Sequence, residues 1–220
     1  MPLLTTLQAV LGRPVVISLW SLILVAVCLL LFFAVNLHSV LRYHAISATR
    51  MAKSEVEEPH GLILGLLALG TSVFFLESLL YVFFGILRDR ASLWATFDFP
   101  VHNDLLEVFG ASVMIGGYAI FIWSVLVRGQ YATSWTMPDK HRLVNWGPYR
   151  FVRHPSYLGY FLMFVGFFVI SQNMLALIPF VAIPGYTLAA FREEEMLLKR
   201  FGEEYRKYMQ ETKRLIPLVY

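Results

Sequence analysis

Long apolar stretches separated by short polar segments run through the chain, and a helix needs about 20 such residues to cross a bilayer. The first stretch, 15–37, contains no charged residue. The second, 62–87, is interrupted only by Glu77, and the third, 105–127, carries only Glu107, in its first turn, where a carboxylate suits the helix dipole. Two shorter stretches follow, 157–170 and 174–191, split by the polar turn Ser171-Gln172-Asn173. They predict a helical hairpin whose first arm is short for a full crossing and whose second arm is bent by Pro179 and Pro184-Gly185. The expected architecture is therefore all-α and integral to the membrane. About five transmembrane helices form one domain over 1–220, and a polar C-terminal helix follows them.

Composition agrees with this reading: 58% of the 220 residues are hydrophobic and only 15% are charged. The mean hydropathy of +0.62 is too high for an ordinary soluble domain. The single cysteine, Cys28, sits inside the first span, so an intramolecular disulfide and paired-cysteine metal sites are excluded. No histidine pair has metal-ligand spacing either; His38, His44, His60 and His102 are scattered, and no metal is expected.

Charge sets the expected orientation. Segments 38–60, 128–156 and 192–220 hold three, five and seven Lys and Arg residues, against one, two and none in the segments facing the other way. Cytoplasmic loops retain basic residues. The N-terminus is thus expected outside, with the C-terminus and every chemistry-bearing motif on the cytosolic face. The net charge of +3 is explained by anionic lipid at that face, so nucleic acid is not expected as a partner.

Two segments are dense in His, Arg, Glu and Tyr. The first runs from Lys140 to Tyr160 and includes Gly147-Pro148-Tyr149-Arg150 and Arg153-His154-Pro155-Ser156-Tyr157. Gly-Pro marks a turn, and Pro155 suits the first helical position, which puts His154 at the N-cap. The free backbone donors of that helix start, with His154, Tyr149 and Tyr157, could serve a zwitterionic ligand. The same residues also suit a positively charged interfacial anchor with an aromatic belt. The second dense segment starts at Arg192-Glu193-Glu194-Glu195. Adjacent carboxylates beside a membrane repel one another and need cationic partners, although solvated pairs such as Glu195 with Lys199 could supply them.

Together these segments resemble a known family. The Gly-Pro-Tyr turn, Arg153 to Tyr157, the glutamates, Phe201-Gly202-Glu203-Glu204-Tyr205 with Tyr208, and Arg214-Leu215-Ile216-Pro217 are similar in order and spacing to the C-terminal half of isoprenylcysteine carboxyl methyltransferases and related phospholipid methyltransferases. The resemblance covers about 130–217, taken as the catalytic, cofactor-binding half. It implies S-adenosylmethionine as cofactor, with His141, Leu143, Val144, Tyr149, His154, Pro155, Tyr157, Glu193 and Glu194 around it. Arg192, Glu193 and Arg153 are the candidate catalytic residues. Some relatives carry the substrate Arg one helical turn earlier, where this chain has Ala189, so the resemblance alone does not assign Arg192 that role.

The implied reaction is methyl transfer at the cytosolic face to a lipidic acceptor, with the carboxylate of a prenylated cysteine foremost and a phospholipid amine as alternative. The acceptor and the bilayer are the expected partners, and no obligate protein partner is expected. A membrane reductase of the sterol type is the alternative enzyme class, and a transporter would require more midplane polar residues than Glu77 alone. Gly61/Gly65 and Ser112/Gly116 have the small-xxx-small spacing of closely packed helices.

Overall fold

A computed structural model describes residues 18–47, 61–87, 97–99, 103–129 and 142–216. The helices are α1 (Leu19–Ser47), α2 (Gly61–Leu87), α3 (Asp104–Arg128), α4 (Pro155–Ser171), α5 (Ala182–Phe201) and α6 (Glu203–Glu211). Two 3-10 segments, Gly147–Arg150 and Met174–Val181, precede α4 and α5. No strand forms among the described residues; only two isolated bridges occur, Asp98 with Asn173 and Val152 with Lys213.

Among the described residues, four helical stretches are long and apolar enough to cross a membrane: Leu19–Arg42, Gly61–Leu87, Asp104–Arg128 and Met174–Phe201. The fifth expected span, α4, has 17 residues, about 26 Å at 1.5 Å per residue, and is the short arm of the hairpin. The sequence expectation placed the first span at 15–37; residues 15–17 lie outside the described set, and α1 continues to Ser47. The second arm also differs in kind. It opens with eight residues of 3-10 helix containing Pro179, and the α-helical part then runs on to Phe201. Pro179 has no N–H to give an α-helical ladder, whereas Pro184 falls in the first turn of α5, where that donor is not needed. The glutamates therefore ride on the same helix as the apolar arm.

The polar turn at the hairpin tip is buried rather than solvated. Gln172 adopts a left-handed φ of 47° and caps α4. Its amide oxygen accepts from the Asn103 backbone N–H at 2.9 Å, and its amide nitrogen donates to the Asn103 carbonyl at 3.0 Å. Asn173 caps the next segment through Leu175 N–H at 2.8 Å and donates to Asp98 at 2.6 Å. Backbone groups at a buried helix end must find such partners, and here the side chains supply them.

Close packing between α3 and α4 comes from glycines other than the pairs singled out by spacing. A Cβ added at Gly166 would lie 2.5 Å from the Met114 backbone nitrogen, and one at Gly117 would lie 2.8 Å from the Gly159 carbonyl oxygen. Added at Gly61, Gly65 or Gly116, it would meet nothing within 4 Å. The four-residue spacing recurs on any face of an apolar helix, so spacing does not reveal which face meets a neighbour. Gly166→Ala is expected to cost about 1–3 kcal/mol, because backbone rather than a flexible side chain must yield. Gly116→Ala should be neutral or slightly stabilising. Thermal-denaturation midpoints of the two variants in one detergent check this.

Glu77 is 5% exposed and its Oε2 has no hydrogen-bond partner among the described residues. At the start of α1, Ser18 donates to Glu107, and the Ser21 and Tyr81 hydroxyls lie 2.9 Å apart. These contacts tie α1 to α2 and α3 far from the second polar cluster, at the start of α4.

Candidate active site

The approach to α4 is shaped by two local constraints. Gly147 has φ +63° with the Val127 side chain against it, a conformation and a clearance that favour glycine. Pro148 and Tyr149 then turn inward and are buried. His154 is the N-cap residue of α4 and Pro155 its first helical residue, as the sequence indicates.

The C-terminal segment lies alongside this entry. Arg153 N–H donates to the Lys213 carbonyl at 2.8 Å and His154 N–H to the Arg214 carbonyl at 3.0 Å. The Tyr208 hydroxyl of α6 donates to the Tyr149 carbonyl at 2.6 Å. Motifs 40 to 60 residues apart in sequence are thereby fastened into one end of the bundle.

At the centre sit two carboxylates with different partners. Glu194 has a side chain only 4% exposed and is surrounded by cations. Arg153 Nε donates to its Oε1 at 2.7 Å, and Arg214 donates to its Oε2 through Nη2 at 2.7 Å and Nε at 3.0 Å. Arg153 also reaches the Thr212 carbonyl at 2.6 Å, and the Arg214 guanidinium carbon lies 3.8 Å from the centre of the Phe191 ring. Glu193 instead accepts from the Tyr157 hydroxyl at 2.6 Å. His154 stands between the two, Nδ1 at 3.3 Å from Glu193 and Nε2 at 3.3 Å from Glu194. Burial alone would push the imidazole pKa down, but the hydrogen bonds and charges of Glu193 and Glu194 outweigh it, and the pKa is raised.

From this cluster an aromatic wall leads into the bundle. The His154 and Tyr157 rings stack at 5.3 Å, Tyr157 meets Tyr186 at 4.8 Å, and Tyr160 stacks on Tyr186 at 5.1 Å. These tyrosines line a cavity of about 540 Å³ that reaches Asn36 on α1 and Thr71 on α2. Arg128, the last residue of α3, lines it too, and its Nε is buried with no hydrogen-bond partner among the described residues. A buried guanidinium donor left unpaired is costly and suits an anionic group entering the cavity.

The structure brings together Tyr149, Arg153, His154, Pro155, Tyr157, Glu193 and Glu194 from the sequence reading; Val144 is buried and Leu143 half-buried. His141 lies outside the described residues. Arg192 is not brought in: its side chain is 50% exposed and pairs at 3.2 Å with Glu195, itself 58% exposed. Such pairs contribute about 0.2–1 kcal/mol, so Arg192→Ala should leave the thermal-denaturation midpoint nearly unchanged. Arg153 is present but held by Glu194 and the C-terminal segment. The sequence reading missed Arg128, Tyr160 and Tyr186. Arg128 looked like a positive flank ending a span, and the signal available for the tyrosines was a polar hydroxyl recurring in otherwise apolar runs.

Fold and site define a polytopic membrane protein with a buried, charge-compensated cluster opening onto an aromatic cavity at one end of its bundle. Residues 105–204 match the family model described as phospholipid methyltransferase. Protein-S-isoprenylcysteine O-methyltransferase of Tribolium castaneum is 33% identical over 137 residues, covering 56% of this chain and 47% of the relative. The Dictyostelium discoideum protein of the same name is 34% identical over 117 residues, covering 49% and 48%. Among solved structures, the eukaryotic intramembrane Ras methyltransferase (isoprenylcysteine carboxyl methyltransferase) is similar at 28% identity, with a TM-score of 0.47 over 74% of this chain and 55% of that one. Over 105–204 the chain is therefore similar to membrane methyltransferases of the phospholipid and isoprenylcysteine kinds. It spans about half the length of the curated relatives it matches.

Proposed function

We propose that the chain is an S-adenosylmethionine-dependent methyltransferase acting on the carboxylate of a lipidic acceptor, foremost a prenylated cysteine, with 130–217 as its catalytic half. The observation that carries the reading is the unpaired Nε of Arg128 in a cavity that adjoins the His154–Glu193–Tyr157 cluster. The relatives' names point to the same chemistry.

The residues present fit the cofactor. A sulfonium is favoured by aromatic faces and a nearby carboxylate. Tyr157, Tyr160 and Tyr186 offer the faces, and Glu193 offers the carboxylate, held in place by the Tyr157 hydroxyl and His154. The cofactor, when bound, supplies a methyl group activated by the positive sulfur. The protein's own contribution is alignment and exclusion of water, since a displacement of this kind needs no covalent enzyme intermediate.

Arg128 orients the acceptor. Its guanidinium attracts a carboxylate, which arrives ionised and needs no general base, and repels a lipid ammonium sharing the cavity. The Arg that some relatives carry on the glutamate helix is replaced here by Ala189, which is fully buried, and Arg128 serves from α3 instead. The Lys and Arg distribution supports a cytosolic site, an outside N-terminus and an acceptor drawn from the inner leaflet.

The test is a choice of acceptor. Purified protein with methyl-labelled S-adenosylmethionine is offered farnesylated cysteine or phosphatidylethanolamine. Label on farnesylcysteine that mild base releases is the expected product, as a carboxyl methyl ester requires. Label that stays on the phospholipid amine would overturn the carboxylate assignment.

A further inference from the structure

The C-terminal segment contributes a charge to the site as well as a wall. Arg214 lies 20 residues from Glu194 in sequence, yet it binds Glu194 Oε2 through two nitrogens while Arg153 and His154 share Oε1. Its side chain is 14% exposed and stacks on Phe191, so it is fixed in direction. Its backbone carbonyl accepts from His154 N–H, which joins the same residue to His154 twice, once through the main chain and once through Glu194.

We infer that Arg214 is a positioning residue for His154: by occupying one oxygen of Glu194 it limits that carboxylate's pull on the imidazole and leaves His154 bridging to Glu193, the carboxylate that holds the cavity-lining Tyr157. This rests on reading His154 and Glu193 as the cofactor site. Three cations, Arg153, Arg214 and His154, share two carboxylates. Without Arg214, Glu194 keeps a full charge for Arg153 and His154 alone. His154 then binds its proton more strongly and turns toward Glu194. Without Glu194, two guanidinium groups face His154 with only Glu193 opposing them, and the proton leaves more easily. The groups facing His154 are Glu193 and Glu194 from α5, Tyr157 from α4, Arg153 beside it and Arg214 from the C-terminal segment. Tyr205 of α6 lies within electrostatic reach of Glu194 and Arg153, and Arg128 of α3 within reach of Glu193.

Linkage fixes the sign. A histidine whose folded-state pKa is raised stabilises the charged cluster fully below its unfolded pKa, and that contribution is lost as pH rises through the folded value. The pH window therefore moves up in Arg214→Gln and down in Glu194→Gln. A residue that only supported the fold would not move the two in opposite directions.

The experiment is an NMR titration of the full chain in detergent with histidine labelled at Cε1, His154 being assigned by its loss in His154→Gln. Arg214→Gln should raise the His154 midpoint by about one pH unit, and Glu194→Gln should lower it by a comparable amount. Arg214→Lys keeps the charge without the fork, and should shift the midpoint the same way as Arg214→Gln but less; it is the variant to read if Arg214→Gln does not fold. Unchanged midpoints, or shifts of one sign in both Arg214→Gln and Glu194→Gln, overturn the inference. Calorimetry of S-adenosylmethionine binding to wild type is run alongside. No binding with opposite midpoint shifts would remove the cofactor reading and leave the positioning role intact.

Discussion

Replacing Arg128 by Met is expected to lower kcat/KM for a prenylated carboxylate acceptor by two to three orders of magnitude while leaving S-adenosylmethionine affinity within about threefold. Truncating one partner of a desolvated charge pair costs about 2–5 kcal/mol, and each 1.4 kcal/mol is a factor of ten. The effect falls on the acceptor because Arg128 lines the cavity from α3, whereas the proposed cofactor residues Glu193, His154 and Tyr157 hold one another in place without it. Lysine at 128 should recover only part of the loss, since it presents a point charge in place of a fork. Steady-state kinetics with the acceptor varied, beside calorimetry of the cofactor, separates the two effects. A loss of cofactor binding equal to the loss of turnover would contradict the assignment.

The second large effect concerns stability. Glu194→Leu removes the anion shared by Arg153, Arg214 and His154 and leaves three buried or nearly buried cationic groups around an apolar side chain. Breaking a buried pair by deleting one partner costs about 3–5 kcal/mol. The loss should appear as a lowered thermal-denaturation midpoint and as release of the C-terminal segment, read by faster proteolysis after Lys213. Arg206→Ala is the contrast: its partner Glu203 is 85% exposed, and the change should be within about 0.5 kcal/mol. Similar midpoints for the two variants would show that the cluster does not hold the segment.

Much of this arrangement is legible in the chain, for reasons that differ by element. The spans of α2 and α3 follow from uninterrupted apolar runs of the length a bilayer demands, and their observed ends fall within one or two residues of the expected ones. His154 at the N-cap with Pro155 after it follows from proline's missing donor and fixed φ. The α5 boundary was less legible. Pro179 and Pro184 both read as bends, and only their depth in the first turn separates a 3-10 entry from a continuing α-helix. The packing glycines were misread because spacing carries no information about direction.

In the site, the sequence motifs named the cluster but not the division of labour within it. Glu193 and Glu194 are neighbours, so the sequence gives them one environment. The 100° step between successive helical positions turns one toward Tyr157 and the other toward Arg153 and Arg214. Arg192, one residue before them, is turned outward by the same step and meets only Glu195. Arg128 was invisible because a basic residue closing a span is the commonest arrangement there is, and only its unpaired Nε distinguishes it.

The most direct test of the central claim is calorimetric binding of S-adenosylmethionine to the purified full chain, wild type against Glu193→Gln and Arg192→Ala. Saturable binding that is lost or weakened at least tenfold in Glu193→Gln and kept in Arg192→Ala is the predicted result, because only Glu193 belongs to the cluster. No binding by folded wild-type protein, or equal losses in the two variants, would contradict the placement of a methyl-donor site between the start of α4 and the end of α5.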